Sequence, residues 1–210
     1  MLAYIFWHRP HPDTAAEVYE QAQLAFHRSL AHSPPVGLCG SACLRAAQAP
    51  WLAGQDEAQT YEDWYLLEDF TALGVLGEAA VGRGHRSAHD GAARHLGAGT
   101  AGLYALAEGE RARLGRPGPV LGQADVAVWV GRAAGAAVPA GSDAQGLLGD
   151  LLGDGADPRA VTLWRRQLVL GPAPEYCLLA GEVPAGVGAA RLPAGWQARA
   201  CAREPVWDGS

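Results

Sequence analysis

The run L-A-Y-I-F-W-H at Leu2–His8 is aromatic and β-branched and stops at Arg9-Pro10, which predicts a strand ending where proline cannot donate to a ladder. Asp13 or Thr14 then caps an amphipathic helix to about His32. Its apolar positions Val18, Ala22, Ala25, Phe26 and Leu30 recur at helical spacing, and Ser33-Pro34-Pro35 stops it. Val36–Ala47 and Thr60–Glu68 read as two strands joined by a long loop. From Asp69 the spacing turns helical again (Phe70, Leu73, Leu76, Ala80), is interrupted by Gly82 and Gly84, and continues through Ala88–Leu96. Thr100–Leu106 is a further strand. The resulting order, β-α-β-β-α-β, builds an antiparallel sheet with both helices on one face.

Residues 108–122, E-G-E-R-A-R-L-G-R-P-G-P-V-L-G, are dense in Gly, Pro and charge, so they read as a linker between a first repeat at 1–107 and a second at 123–210. In the second, D-V-A-V-W-V-G-R at Asp125–Arg132 parallels the first strand, and Ser142-Asp143 caps a helix over Ala144–Leu152. Strands follow at Val161–Leu170, Glu175–Ala180 and Gln197–Glu204. Gly181–Gly195, punctuated by Pro184 and Pro193, is too short for the second helix. The expected fold class is therefore α+β: two ferredoxin-like βαββαβ repeats, the second abbreviated.

A sheet with helices on one face leaves an apolar face to be buried, and two repeats can cover each other in a barrel-like arrangement. With the segments A-Y-I-F-W-H-R-P and Y-E-D-W-Y-L-L-E-D-F, this order resembles the dimeric α+β barrel superfamily in tandem-repeat form. That resemblance implies a ligand or active site inside the barrel, in a group that holds monooxygenases, isomerases, haem-handling enzymes and stress-response proteins. Fold does not choose among them. Alternation puts Ala3, Ile5 and Trp7 on one strand face and Tyr4, Phe6 and His8 on the other. In the second repeat the smooth face of Val126, Val128 and Val130 suits helices. By subtraction, Tyr4, Phe6, His8 and Trp129 are expected inside, at a pocket that Trp64, Tyr65, Trp164 and Arg166 also line. His8 ends its strand, so it is placed at the barrel rim as the acid–base or hydrogen-bonding group.

Composition narrows the partners. The chain has 210 residues, 49% apolar and 18% charged, with net charge −6 and no Lys or Asn. An acidic chain of this kind disfavours nucleic acid. It has no uninterrupted apolar run of membrane-spanning length, and its four cysteines include no C-x-x-C pair. These features set the expectation of a cytoplasmic protein with reduced thiols. Cys39 and Cys43, about 13 Å apart on one strand face, read as core cysteines too distant for a disulfide. His85 and His89 stand at i and i+4 and form a weak candidate metal pair, with no H-E-x-x-H around them. The superfamily resemblance raises haem, for which His8, His27, His32 and His89 are the available donors; the lack of Asn removes the Asn-Trp-His arrangement of one haem-degrading branch. Glu62 and Glu68 share a face with Trp64, and either could act as a base in an apolar barrel, against the plainer reading that Glu62 and Asp63 sit at a solvated strand start while Asp69 caps a helix. The expected function is binding or transformation of a small apolar or aromatic molecule in the barrel. The alternative is a non-catalytic packed barrel acting by self-association, for example as a homodimer, or through a protein partner. Neither the reaction nor whether the chain is an enzyme follows from these residues.

Overall fold

The computed structural model describes residues 1–47, 49–52, 59–82, 84–107, 125–132, 144–153, 161–169, 174–188, 192 and 194–209. The expected linker at 108–122 and the Ser142-Asp143 cap lie outside them. Among these described residues eight strands are formed: β1 (Leu2–Pro10), β2 (Leu38–Ala46), β3 (Thr60–Leu67), β4 (Leu96–Leu106), β5 (Val126–Arg132), β6 (Val161–Val169), β7 (Tyr176–Ala180) and β8 (Trp196–Trp207). Helices α1 (Ala16–His32), α2 (Phe70–Val81) and α3 (Arg86–Ala93) belong to the first half, and α4 (Ala144–Leu152) is the helix described in the second. Among the described residues no helix is long and apolar enough to cross a membrane.

The strands close into one antiparallel barrel in the order β1-β3-β2-β8-β5-β7-β6-β4. This corrects the expected pair of ferredoxin-like α+β repeats. β2 pairs with β8 from Cys43↔Trp207 to Ala46↔Arg203, and β4 pairs with β6 from Gly102↔Val169 to Leu106↔Trp164. The two halves are thus joined by continuous ladders, and the molecule is a mainly-β closed barrel with helices outside it. Closure removes the unpaired edges that two separate sheets would expose.

The barrel interior is filled. Ala3, Ile5 and Trp7 of β1, Trp64 and Leu66 of β3, Tyr104 of β4, Ala127 and Trp129 of β5, and Trp164 of β6 form one buried cluster. Their rings meet edge-on, Trp7 to Trp129 at 5.0 Å and Trp64 to Trp164 at 5.7 Å between centroids, the geometry that the ring quadrupole favours. Between them lies a buried ion pair, Arg203 Nε to Glu62 Oε2 at 3.2 Å. The indole N–H groups of Trp64 and Trp129 donate to the two Glu62 oxygens at 3.1 and 3.2 Å, and the Arg203 guanidinium stands 5.3 Å from the Trp64 ring.

The face assignment therefore holds for β5, whose valines pack outward with Leu151 and Leu152 of α4, and is inverted for β1. Tyr4, Phe6 and His8 point out of the barrel. Two-residue periodicity makes such an error total, since choosing the wrong face displaces every side chain of the strand. On α1 the buried face is Tyr19, Gln23, Phe26, His27 and Leu30, while Val18 is half exposed. The stripe read from apolar residues alone includes Phe26 and Leu30 of this face and omits Tyr19, Gln23 and His27. The expected cap is also corrected: the N-cap is Ala15, with no side-chain cap, whereas Asp69 accepts from the Ala72 N–H at the start of α2.

Candidate functional site

The pocket lies outside the barrel, between its β1–β3–β4 face and helices α1, α2 and α3. It has a volume of about 450 Å3. Tyr4 and Phe6 of β1 and Asp63 and Tyr65 of β3 form its floor; Gln23 and Phe26 of α1, Leu73, Leu76, Gly77 and Ala80 of α2, and His89 and Ala92 of α3 form its walls. A mostly apolar cavity with a few convergent polar groups is the usual form of a small-molecule site. This placement corrects the expectation of a pocket inside the barrel, where the indoles leave no comparable role for a ligand.

Local sequence explains the floor. In T-Y-E-D-W-Y-L-L alternate residues face opposite ways, so Glu62 and Trp64 enter the barrel while Asp63 and Tyr65 face the helices. Across the ladder Asp63 pairs with Phe6 on one side and Cys43 on the other. Phe6 lies over Gly99 of β4, where a Cβ would collide with its ring. Gly99→Ala should therefore push the ring toward the pocket and cost about 1–3 kcal/mol, read by denaturant unfolding; an unchanged midpoint would show that Phe6 has room to move.

Asp63 is the centre of a buried polar cluster. His8 Nε2 and His27 Nε2 stand 3.2 and 3.3 Å from its Oδ1, and Tyr65 Oη donates to its Oδ2 at 3.1 Å. His8 Nδ1 shares a 2.6 Å hydrogen bond with Tyr19 Oη, and His27 Nδ1 shares one of 2.9 Å with Ser41 Oγ. The two Nε2 atoms and Oδ1 are thus buried together at ion-pair distance without a well-formed hydrogen bond. Burial alone would raise the Asp63 pKa, but the two imidazoles beside it outweigh that cost and hold the carboxyl well below the usual range. Burial, then the Asp63 charge, pushes the Tyr65 phenol, the Tyr19 phenol and the Cys43 thiol up. The negative charge of the cluster thus rests on Asp63, and the two phenols and the thiol keep their protons.

Of the residues singled out from sequence, Tyr4, Phe6 and Tyr65 line the pocket, whereas Trp64, Trp129 and Trp164 are barrel core. Arg166 lies at a barrel end, paired with Glu175 at 3.3 Å. His8 is fully buried behind Asp63 and not at a rim. Glu62 and Asp63 are also buried, which removes the solvated strand start. Cys43 is core, but Cys39 is exposed because the β2 register shifts between Leu38 and Gly40. His85 and His89 do not form a pair: His85 Nδ1 bonds Ser29 Oγ at 2.7 Å, while His89 faces the pocket. Tyr19 and Gln23 have no role in the sequence reading, which places Asp63 at a solvated strand start and offers His27 only as a haem donor. The available signal was Tyr19, Gln23 and His27 at successive i+4 positions, polar groups in register with the buried stripe.

Haem fits this site poorly. Of the expected donors His8 and His27 are turned to Asp63 and His32 is exposed, which leaves His89 on the pocket wall; among the described lining residues there is no arginine to meet the propionates, and the polar end is a carboxylate.

No family model matches the sequence, and no curated protein matches it. Solved structures do. A candidate chlorite dismutase aligns over 100% of this chain and 97% of its own, with TM-score 0.55 and 10% identity. An anthrone oxidase-like protein aligns over 97% of this chain and 90% of its own, with TM-score 0.50 and 13% identity. A candidate monooxygenase from Fusobacterium nucleatum aligns over 100% of this chain and 95% of its own, with TM-score 0.49 and 9% identity. The likeness is one of fold.

Proposed function

We propose that this protein binds a small, flat, largely apolar molecule in the helix-side pocket and holds the polar group of that molecule at Asp63, where it is transformed. The observation that carries this reading is the placement of a buried carboxylate, backed by His8 and His27, at one end of a cavity otherwise lined by aromatic and aliphatic side chains. An ionised carboxylate with a lowered pKa is a poor proton acceptor and a strong hydrogen-bond acceptor, so its role is to orient a donor such as a phenolic or enolic hydroxyl. Tyr4, Phe6 and Phe26 supply flat walls, and Gln23 and His89 add polar contacts at the sides. The fold likeness to an anthrone oxidase-like protein supports the same ligand class, since an anthrone is a flat tricyclic aromatic ketone.

Gly77 gives the test. A Cβ there meets open space, so the side chain of Gly77→Leu grows into the cavity from the middle of α2. Calorimetric titration with anthrone and with a monocyclic phenol should show saturable binding to the unaltered protein and a loss of roughly tenfold or more in the variant, about 1.4 kcal/mol or above. Stability should hold or rise by up to about 1 kcal/mol, because glycine is a poor helix interior residue. Binding that survives a filled pocket would sink the reading.

A further inference from the structure

We infer that His27, Cys43 and Asp63 form a binding site for a divalent transition-metal ion of the zinc class, beneath the pocket floor. The imidazole nitrogen, the thiol sulfur and the carboxylate oxygen lie within 4.8 Å of one another, and all three residues are buried. They are brought together by three different elements. His27 comes from α1, Cys43 from β2 and Asp63 from β3, with Cys43 and Asp63 opposite each other in the ladder.

The contact distances suit donors that share an ion. Nitrogen and oxygen ligands about 2.0–2.1 Å from a tetrahedral ion stand about 3.3 Å apart, and the nitrogen lone pair aims at the ion instead of at the neighbouring oxygen. His27 Nε2 and Asp63 Oδ1 are 3.3 Å apart, and both are buried without a well-formed hydrogen bond. A buried imidazole nitrogen and a buried carboxylate oxygen left without an aligned bond are costly unless something lies between them. His8 Nε2, 3.2 Å from the same Oδ1 and also buried without a well-formed hydrogen bond, is a further donor. The donor set is mixed N, S and O, which suits zinc or cobalt(II) and disfavours magnesium or calcium.

The surroundings complete the site. The other nitrogen of His27 is held by Ser41 Oγ at 2.9 Å and its ring stacks on Tyr65 at 5.4 Å, while Tyr65 Oη fixes the second Asp63 oxygen, the outer contacts by which proteins orient metal ligands. Asp63 opens on the pocket, which gives an ion its entry path. Charge also balances: a thiolate and a carboxylate neutralise a divalent ion, so binding breaks the Cys43 S–H bond, forms a sulfur–metal bond and releases one proton to solvent.

The test is titration of the chelator-treated, folded protein with cobalt(II). Uptake of a single equivalent should bring the visible bands of a four-coordinate ion, an ultraviolet thiolate-to-cobalt band and release of a proton in weakly buffered solution. Cys43→Ala should abolish the thiolate band and weaken uptake by more than the roughly 10–100-fold that loss of an outer-shell partner costs. His27→Gln, with its fold verified by circular dichroism, is the second variant and should weaken uptake comparably. Cys39→Ala and His89→Ala should leave the spectrum as it was. No uptake by the folded protein, a cobalt spectrum without the thiolate band, or a band that survives Cys43→Ala overturns the site. The inference does not depend on the identity of the pocket's occupant. Gly77→Leu should keep the cobalt spectrum while losing anthrone binding, so the two readings fail separately.

Discussion

Glu62→Ala should lower the unfolding free energy by about 3–5 kcal/mol, the scale of removing one partner from a buried ion pair. Both Glu62 and Arg203 are fully buried at the centre of the barrel, and alanine would leave the guanidinium without its carboxylate and two indole N–H groups without their acceptor. Each unsatisfied indole adds about 1–3 kcal/mol of desolvation cost, part of the same total. Denaturant unfolding followed by far-ultraviolet circular dichroism measures the loss. Replacing both charges, Glu62→Leu with Arg203→Met, should recover most of it, since a buried pair exchanged for apolar groups of similar size is often near neutral. A single-variant loss below about 1 kcal/mol, or a double variant weaker than the single, would mean that the pair is not the keystone of the core.

The second large effect is expected at His8. Its ring stacks on Phe6 at 5.1 Å and on Tyr61 at 5.7 Å, and its two nitrogens reach Tyr19 Oη and Asp63. His8→Ala removes the stack, opens a cavity and strips a counter-group from Asp63, so a loss of about 2–4 kcal/mol follows. His8→Phe divides that loss: it keeps the ring and drops both polar contacts. If the phenylalanine variant is as stable as the unaltered protein, the nitrogens of His8 contribute nothing and the ring is mere filler. Because His8 reaches the pocket through Asp63 and Phe6 and does not line it itself, it is a positioning residue. Its loss should weaken anthrone binding measurably, though less than Gly77→Leu does, whereas a purely structural role would leave the affinity of the folded variant unchanged.

The strands were legible because L-A-Y-I-F-W-H, T-Y-E-D-W-Y-L-L and V-A-V-W-V are apolar runs bounded by proline, glycine or charge, and each forms a strand with its ends shifted by a few residues. Barrel closure was not legible. It depends on the β2–β8 and β4–β6 ladders, which join strands far apart in the chain and leave no local mark. The site was legible in its walls and not in its centre. Tyr4, Phe6 and Tyr65 stand out as aromatics wherever they point, but Asp63 sits beside Glu62, and two adjacent carboxylates look solvated until the strand sends one into the barrel and the other beneath the helices. Cys43 and His27 belong to elements whose apolar pattern is complete without them.

The position of Arg203 bears on the order in which the molecule can assemble. Glu62 belongs to β3, which finds β1 and β2 early, through nearby chain, whereas its cation comes from β8, the last strand. Until β8 docks between β2 and β5, the carboxylate and two indoles face a barrel that cannot shut, and an unpaired charge there resists premature collapse. Pairing across so long a loop is entropically slow, so docking of β8 is the natural late step of folding. The charge that fastens the finished barrel thereby also keeps the half-made one open to water, and β8 completes both the wall and the neutralisation in a single event.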